Sequence, residues 1–392
     1  MGSGIAQVAA TAGHRVLLHD VSADVARRGV HEIGKSLVRQ VEKKKISEAD
    51  SQAILDRIAV VSGGEGNFSS MADCDLVIEA IVENLDVKRT VFRQLEEALA
   101  ADAVLATNTS SLSVTAIARA CKTPGRVLGV HFFNPATAMP LVEIVPGLQS
   151  DTAVVAATRA VVDAWGKKTV LASDTPGFIV NRIARPFYGE ALRIFEEGIA
   201  DRATIDWAMR EIGGFRMGPF ELMDFIGNDI NLAATTAVFE ATYFDPRYKP
   251  FLTQRRLVDA GMLGRKSGKG HYDYGPDVEM PQPSKDQHLA RHIVNRILAM
   301  LINEAIDAVA FGVGTVSDVE LAMTKGVNYP RGLLAWGQDI GLSTVLETLE
   351  RLQREYGEDR YRPSHLLRRM VREGTSFFAE LSTEHQSRTL HR

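Results

Sequence analysis

Cysteine is nearly absent: Cys74 and Cys121 are the only two in 392 residues. They lie far apart and without metal-type spacing, which excludes a disulfide framework and a structural zinc site. Long apolar runs are missing too. No stretch approaches the ~20 residues that a membrane helix needs, and the N-terminus lacks the charged-then-apolar layout of a leader. Basic charge is not in excess, since 45 Lys and Arg against 49 Asp and Glu leave a net charge of -4. The clustered basic footprint of a nucleic-acid binder is therefore absent, with Lys43-Lys44-Lys45 the main local exception. What remains is an ordinary globular composition, 45% apolar and 24% charged. The expectation is a cytoplasmic, soluble protein of two or three domains, with no metal, nucleic acid or membrane among its partners.

From residue 14 to about 172, short apolar runs alternate with helical patterns, the signature of parallel strands joined by helices. The strand candidates are RVLLHD (15–20), DLVIEA (75–80), AVLATNTS (103–110), RVLGVHFF (126–133) and LVEIVPG (141–147). VVDAWGKKTVLASD (161–174) reads as a helix end, a turn at Gly166 and a last short strand. The stretch from Ala23 to Lys45 is helical but so charged that it reads as a solvated face rather than a core helix.

After Pro176-Gly177 the strand-like alternation stops and long helical periodicity takes over. This region repeats itself. Asn181-Arg182 recurs as Asn295-Arg296, an offset of 114 residues, and the same offset carries Glu190 to Glu304, Gly198 to Gly312, Met209 to Met323, Gly218 to Gly332 and Ile226-Gly227 to Ile340-Gly341. Tyr248-Lys249-Pro250 matches Tyr361-Arg362-Pro363 at an offset of 113. The Pro-rich, polar segment between the two copies reads as a linker.

The opening MGSGIAQVAATAGHRVLLHD is a glycine start, a short helix and a strand ending in Asp20. A helix beginning near Gly4 points its N-terminal N–H groups at an anion such as a pyrophosphate. A carboxylate at Asp20 accepts from an adenosine ribose and repels a 2′-phosphate, which favours NAD over NADP. Further strand ends carry Glu83 and Lys88 in AIVENLDVK, the amide and hydroxyls of NTSS (108–111), and His131 with Asn134 in HFFNP, while Glu143 lies 12 residues beyond His131. Ligands of open α/β sheets bind at such strand ends.

LVIEAIVENLDVK, ATNTSSLSVTAIA, GVHFFNPATAMPLVEIV, DTPGFIVNRI, MGPFELMDFIG and GRKSGKGHYDY occur in one order within the region from residue 2 to 274. Through them the sequence resembles the L-3-hydroxyacyl-CoA dehydrogenases. The resemblance implies an α/β Rossmann-like domain (1–175) followed by an all-α helical domain in two repeated units, the first over 176–275. The linker (276–286), second unit (287–381) and tail (382–392) follow. It implies NAD-dependent oxidation of the 3-hydroxyl of an L-3-hydroxyacyl-CoA, as in β-oxidation, phenylacetate or butanoate metabolism. His131 matches the family's base and Glu143 the carboxylate that orients it. Ser110 matches the hydrogen-bond donor to the substrate 3-oxygen and Asn181 an amide that holds the substrate, and Asn134, close to His131 in HFFNP, is a further substrate contact. Gly2, Asp20, Glu83, Lys88, Asn108 and Lys266 match NAD contacts, Lys88 also lying near the acyl-CoA. Lys44 is a candidate for the CoA phosphates, or else the solvated end of its helix.

The second helical copy resembles long bacterial 3-hydroxybutyryl- and 3-hydroxyadipyl-CoA forms of the family. Asn295 occupies the place of Asn181, but no nucleotide-binding half precedes it, so this copy is expected to be structural. It either replaces, within one chain, the partner that single-copy members find in a second subunit, or adds to a homodimer. Two departures stand out. The family has Lys at many counterparts of Pro140. It also carries a first strand and G-x-G-x-x-G, of which only the last glycine, Gly2, is in this sequence. The expectation is that Met1 is an internal methionine of a longer reading frame. The competing expectation is a structural relative that binds NAD poorly.

Overall fold

The computed structural model describes residues 1–61 and 66–378. The expected tail, 382–392, lies outside the described residues. The chain forms two compact units that part between Phe178 and Ile179.

The first unit runs α1 (Gly2–Thr11), β1 (Val16–Leu18), α2 (Ala23–Glu42), α3 (Glu48–Asp56), β2 (Ile58–Val60), β3 (Leu76–Glu79), α4 (Leu85–Ala98), β4 (Val104–Thr107), α5 (Val114–Ala118), β5 (Val127–Phe132), β6 (Leu141–Pro146), α6 (Thr152–Ala164) and β7 (Lys168–Leu171). These strands make two sheets, a parallel β1-β2 pair and a five-stranded sheet in the order β3-β4-β5-β6-β7. Helix α1 serves both. Ile5 and Val8 pack on Ala106, Leu128 and Val130 of the larger sheet, while Ala6 and Ala10 pack with Ile33, Leu37 and Ile58 beside β1 and β2. On another face Leu17 of β1 and Val77 of β3 join one cluster with Phe92 and Leu105.

Three expectations are corrected here. Strand β6 runs antiparallel to β5, because the connection over residues 133–140 is shorter than the dozen or so residues that a parallel crossover requires. Strand β2 was not foreseen, being only Ile58-Ala59-Val60. Helix α2 is not solvated all round: Ala26, Ile33 and Leu37 are buried along one face, so a narrow apolar stripe docks an otherwise charged helix.

The second unit contains α7 (Val180–Ile183), α8 (Arg185–Glu196), α9 (Arg202–Glu211), α10 (Pro219–Ile226), α11 (Asn228–Ala241) and α12 (Leu252–Asp259). It continues with α13 (Gln287–Ala310), α14 (Val316–Gly326), α15 (Leu333–Ile340), α16 (Leu342–Tyr356) and α17 (His365–Glu373). The repeat is structural. Helices α9, α10 and α11 begin 114 residues before α14, α15 and α16, and α12 begins 113 before α17. Local chemistry repeats with it. Asp206 accepts from the N–H groups of Phe220 and Glu221 at the start of α10. Glu320, 114 residues on, accepts from Leu334 and Ala335 at the start of α15. In each case a carboxylate caps a helix whose own N-cap residue, Gly218 or Gly332, is a glycine without a side chain to do so.

The two copies pack on one another through a reciprocal ionic core. Glu190 of the first copy is fully buried and accepts from Arg296 Nε at 2.6 Å, Arg360 Nε at 3.0 Å and the Tyr361 hydroxyl at 2.8 Å, all in the second copy. Glu304 of the second copy is equally buried. It accepts from Arg182 Nε at 2.7 Å, Arg247 at 3.0 Å and the Tyr248 hydroxyl at 2.5 Å, all in the first copy. Each contact is the other's image under the repeat, the signature of an isologous interface. Burial alone would raise both carboxyls, but the facing arginines outweigh it and hold them below the ordinary value.

Candidate active site

Antiparallel pairing brings the central pair together. Residues opposite one another in adjacent strands place their side chains on one face, within reach, and His131 of β5 faces Glu143 of β6 in register. The two side chains meet at 2.7 Å through His131 Nδ1 and Glu143 Oε2. Both are buried, and the His131 ring leans on Phe133 and Phe178, with ring centres 4.5 and 5.8 Å away. A carboxylate only accepts, so it keeps the proton on Nδ1 and leaves Nε2 with its lone pair.

The strand ends beside this pair are fixed by a network of their own. Asn108, just past β4, accepts from the Phe132 N–H at 2.8 Å and donates its own N–H to the Glu79 carbonyl at 2.8 Å, tying β3, β4 and β5 together. Glu83 gathers the NTSS turn. Its Oε1 accepts from the Thr109 hydroxyl at 2.6 Å and from the N–H groups of Ser110 and Ser111 at 3.0 and 3.1 Å. Burial would raise the Glu83 carboxyl, but Thr109, the Lys88 ammonium and the Ser110 N–H hold it below the ordinary value. Lys88 is 1% exposed. Its ammonium lies 2.7 Å from Glu79 and 3.3 Å from Glu83, so its charge faces inward between two carboxylates.

Glu79 was not foreseen from sequence. It is buried and accepts from Lys88 at 2.7 Å and from the Thr107 hydroxyl at 2.8 Å, and that hydroxyl in turn accepts from the Thr109 N–H at 3.2 Å. Its only sequence signal is an acid at the end of an apolar strand. Asp174 was also missed: it caps α5 by accepting from Val114 and Thr115 at 2.9 and 2.7 Å.

The other candidates of the first unit are more scattered. Gly2 is the first residue of α1. An open depression of about 190 Å³ lies at this helix start, lined by Ser3, Gly4, Gln7, Asn134 and Thr137 among others. A side chain at Gly4 would bring its Cβ to 3.3 Å from Ala136, so the loop after β5 approaches the helix closely. Asp20 is exposed two residues beyond β1 and accepts from the Val21 N–H at 2.8 Å. Lys44 is exposed just past α2, with a left-handed φ of 55°.

Asn181 and Lys266 belong to the second unit. Asn181 lies in α7, where its main-chain carbonyl accepts from Arg185 Nε at 2.9 Å. Lys266 pairs with Asp229 at 2.6 Å on the exposed segment after α12. Among the described residues there is no cluster able to hold a metal ion, and no helix long and apolar enough to cross a membrane.

A helix start open to an anion, an acid past the neighbouring strand, and a histidine–carboxylate pair at further strand ends define a dinucleotide-dependent oxidoreductase. The residues present suit NAD: Ser3 and Gly4 in the first turn of α1, where N–H groups have no partner within the helix, line the depression, and Ile81 and Val82 stand exposed just past β3. The family model of the 3-hydroxyacyl-CoA dehydrogenase NAD-binding domain matches residues 1–175, and that of the C-terminal domain matches residues 177–274 and 292–376. The chain belongs to the 3-hydroxyacyl-CoA dehydrogenase family. It is 39% identical to the 3-hydroxyadipyl-CoA dehydrogenase of Escherichia coli K12, with 94% of each chain covered. It is 42% identical over 274 residues to the 3-hydroxybutyryl-CoA dehydrogenase of Bradyrhizobium diazoefficiens, which covers 70% of this chain and 92% of that one. Its fold is similar to the crystal structure of 3-hydroxybutyryl-CoA dehydrogenase from E. coli K12. The TM-score is 0.89 at 38% identity, over 95% of this chain and 96% of the other.

Proposed function

We propose that the chain oxidises L-3-hydroxyacyl-CoA thioesters to 3-ketoacyl-CoA in the cytoplasm, with His131 as the base. The observation that carries this reading is the 2.7 Å contact between His131 and Glu143. NAD, when bound, supplies a nicotinamide ring that accepts the hydride from C3. The chain's part is to bind, orient and move the proton. His131 Nε2 takes the 3-hydroxyl proton, and Glu143 holds the ring orientation and stabilises the imidazolium that forms. Ser110 donates a hydrogen bond to the 3-oxygen, with Asn134 and Asn181 as further substrate contacts. Gly2 and the start of α1 hold the pyrophosphate, and Asp20 accepts from the adenosine ribose. Asn108 and Glu83 act by holding the strand ends in place, and Lys88 by neutralising Glu79 and Glu83. Lys266 completes the cofactor contacts, while Lys44, ending α2 in a left-handed turn, is a candidate for the CoA phosphates.

The relative that shares nearly the whole length of this chain is named for 3-hydroxyadipyl-CoA, which makes that thioester the first substrate to try beside 3-hydroxybutyryl-CoA. His131→Gln is expected to lower acetoacetyl-CoA reduction by NADH by on the order of 10²–10⁴, the range that a general base contributes, with the thermal midpoint retained. Unchanged turnover in the folded variant refutes the role.

A further inference from the structure

We propose that Lys167 is a positioning residue for this site. It clamps the connection between the strands that carry His131 and Glu143, and through it the wall of the cleft at the start of α1. The proposal rests on the dehydrogenase reading above for its catalytic meaning, and on geometry for the clamp itself.

Lys167 follows the left-handed turn at Gly166 (φ 77°) that ends α6, and it directly precedes β7. The side chain is buried, and its Nζ donates to the carbonyls of Ala136 at 2.5 Å and Met139 at 2.9 Å. Both acceptors lie in the connection from β5 to β6. The adjacent main chain makes a third attachment there, Lys168 N–H to the Pro140 carbonyl at 2.8 Å. Within the connection, the N–H groups of Ala138 and Met139 both donate to the Pro135 carbonyl at 3.0 Å. The ammonium therefore bridges the first and last parts of a turn that is already closed on itself.

Burial holds the Lys167 ammonium below the ordinary lysine pKa. An ammonium without a carboxylate beside it is costly to bury, and a methionine would fill the same space without that cost. What the lysine adds is one compact donor that holds two carbonyls at once through charge-assisted bonds. The far side of the clamped turn is functional. Ala136 abuts Gly4 of α1, and Asn134 and Thr137 line the depression at that helix start. Lys167 and α1 thus hold the 134–139 turn between them, and the cofactor cleft takes its shape from that grip.

The test is amide hydrogen exchange on the full chain without nucleotide, comparing wild type, Lys167→Met and Lys167→Arg. In Lys167→Met, exchange at Ala138 and Met139 is expected to rise by on the order of tenfold or more while β4 and β7 stay protected. Arginine is expected to restore most of the protection. In parallel, the Met variant should raise the Kd and KM for NADH several-fold while kcat at saturating NADH changes far less. Unchanged exchange at 138–139 in the folded Met variant overturns the clamp. Raised exchange with unchanged Kd and KM for NADH overturns its link to the cleft. Should Lys167→Met fail to fold, Lys167→Gln, which keeps one donor group, gives the same comparison. If wild type itself neither binds NADH nor reduces acetoacetyl-CoA, the dehydrogenase reading fails, and the exchange data still decide the clamp.

Discussion

Replacing Glu190 by Gln removes one negative charge from the middle of the helical unit without changing its shape. Glu190 is wholly buried, and Arg296 and Arg360, which it bonds, are 1% and 2% exposed. Arg296 keeps Glu197 at 3.0 Å. Arg360 is left with the carbonyls of Pro246 and Arg247 at 3.4 and 3.3 Å, so at least one buried guanidinium loses its counter-charge. Breaking a buried ion pair from one side costs about 3–5 kcal/mol. For a unit of about 200 residues each kcal/mol lowers the midpoint by about 2–4 °C, so the expected fall is roughly 6–20 °C. The assay is thermal unfolding by circular dichroism on the full chain. The reciprocal variant, Glu304→Gln, should behave alike but toward the smaller end: Arg247 keeps Asp307, and Arg182, the other arginine, is 12% exposed against 2% for Arg360. Acid provides a second reading. A carboxyl held below its ordinary value of 4.5 contributes its full stability above that pH and loses it as pH falls through the lower folded value. The gap between wild type and Glu190→Gln should therefore close on acidification below about 4.5. A fall of less than about 2 °C at neutral pH, under ~1 kcal/mol, refutes the reasoning.

Two further outcomes are expected. Burial pushes the Asp206 carboxyl up to about 7, against the lowering effect of Tyr272 and the N–H groups of Phe220 and Glu221. A carboxyl raised above its unfolded value costs stability as pH rises from about 4 to 7. Asp206→Asn should flatten the fall in midpoint over that range, and an unaltered slope counts against the assignment. Gly218→Ala should cost more than Gly332→Ala, although the two glycines occupy the same place in the repeat. The new methyl meets the Asp206 backbone in the first case and only the end of the Glu320 side chain in the second. Overpacking of the unyielding kind costs about 1–3 kcal/mol; equal midpoints in denaturant unfolding contradict it.

Much of this was legible in the residues because the informative features are local. Apolar runs marked β1 and β3 to β7, and the shared offset of Asn181-Arg182 and Asn295-Arg296 disclosed the helical repeat. The order of HFFNP and LVE placed His131 near Glu143, although not the antiparallel register that sets them face to face. What escaped depends on the third dimension. Strand β2 is too short for periodicity to register. The stripe of Ala26, Ile33 and Leu37 was hidden by the charges between them. Glu190 and Glu304 were visible as repeated acids, but that each binds the other copy's arginines is a fact of packing alone. Glu79 lies inside LVIEAIVENLDVK without standing out from it and Lys167 lies outside every motif of the family resemblance, so only burial distinguishes them from other charged residues.

The reciprocal core of Glu190 and Glu304 also bears on how the unit responds to dilution. Two identical halves held by such contacts as separate subunits would dissociate as concentration falls, and their midpoint would follow protein concentration. Joined through the segment that leads into α13, each half meets the other at a fixed effective concentration. The helical unit keeps its pairing in the most dilute sample, and its two halves are free to diverge. At one place in the repeat the first half caps its helix with Asp206 and the second with Glu320.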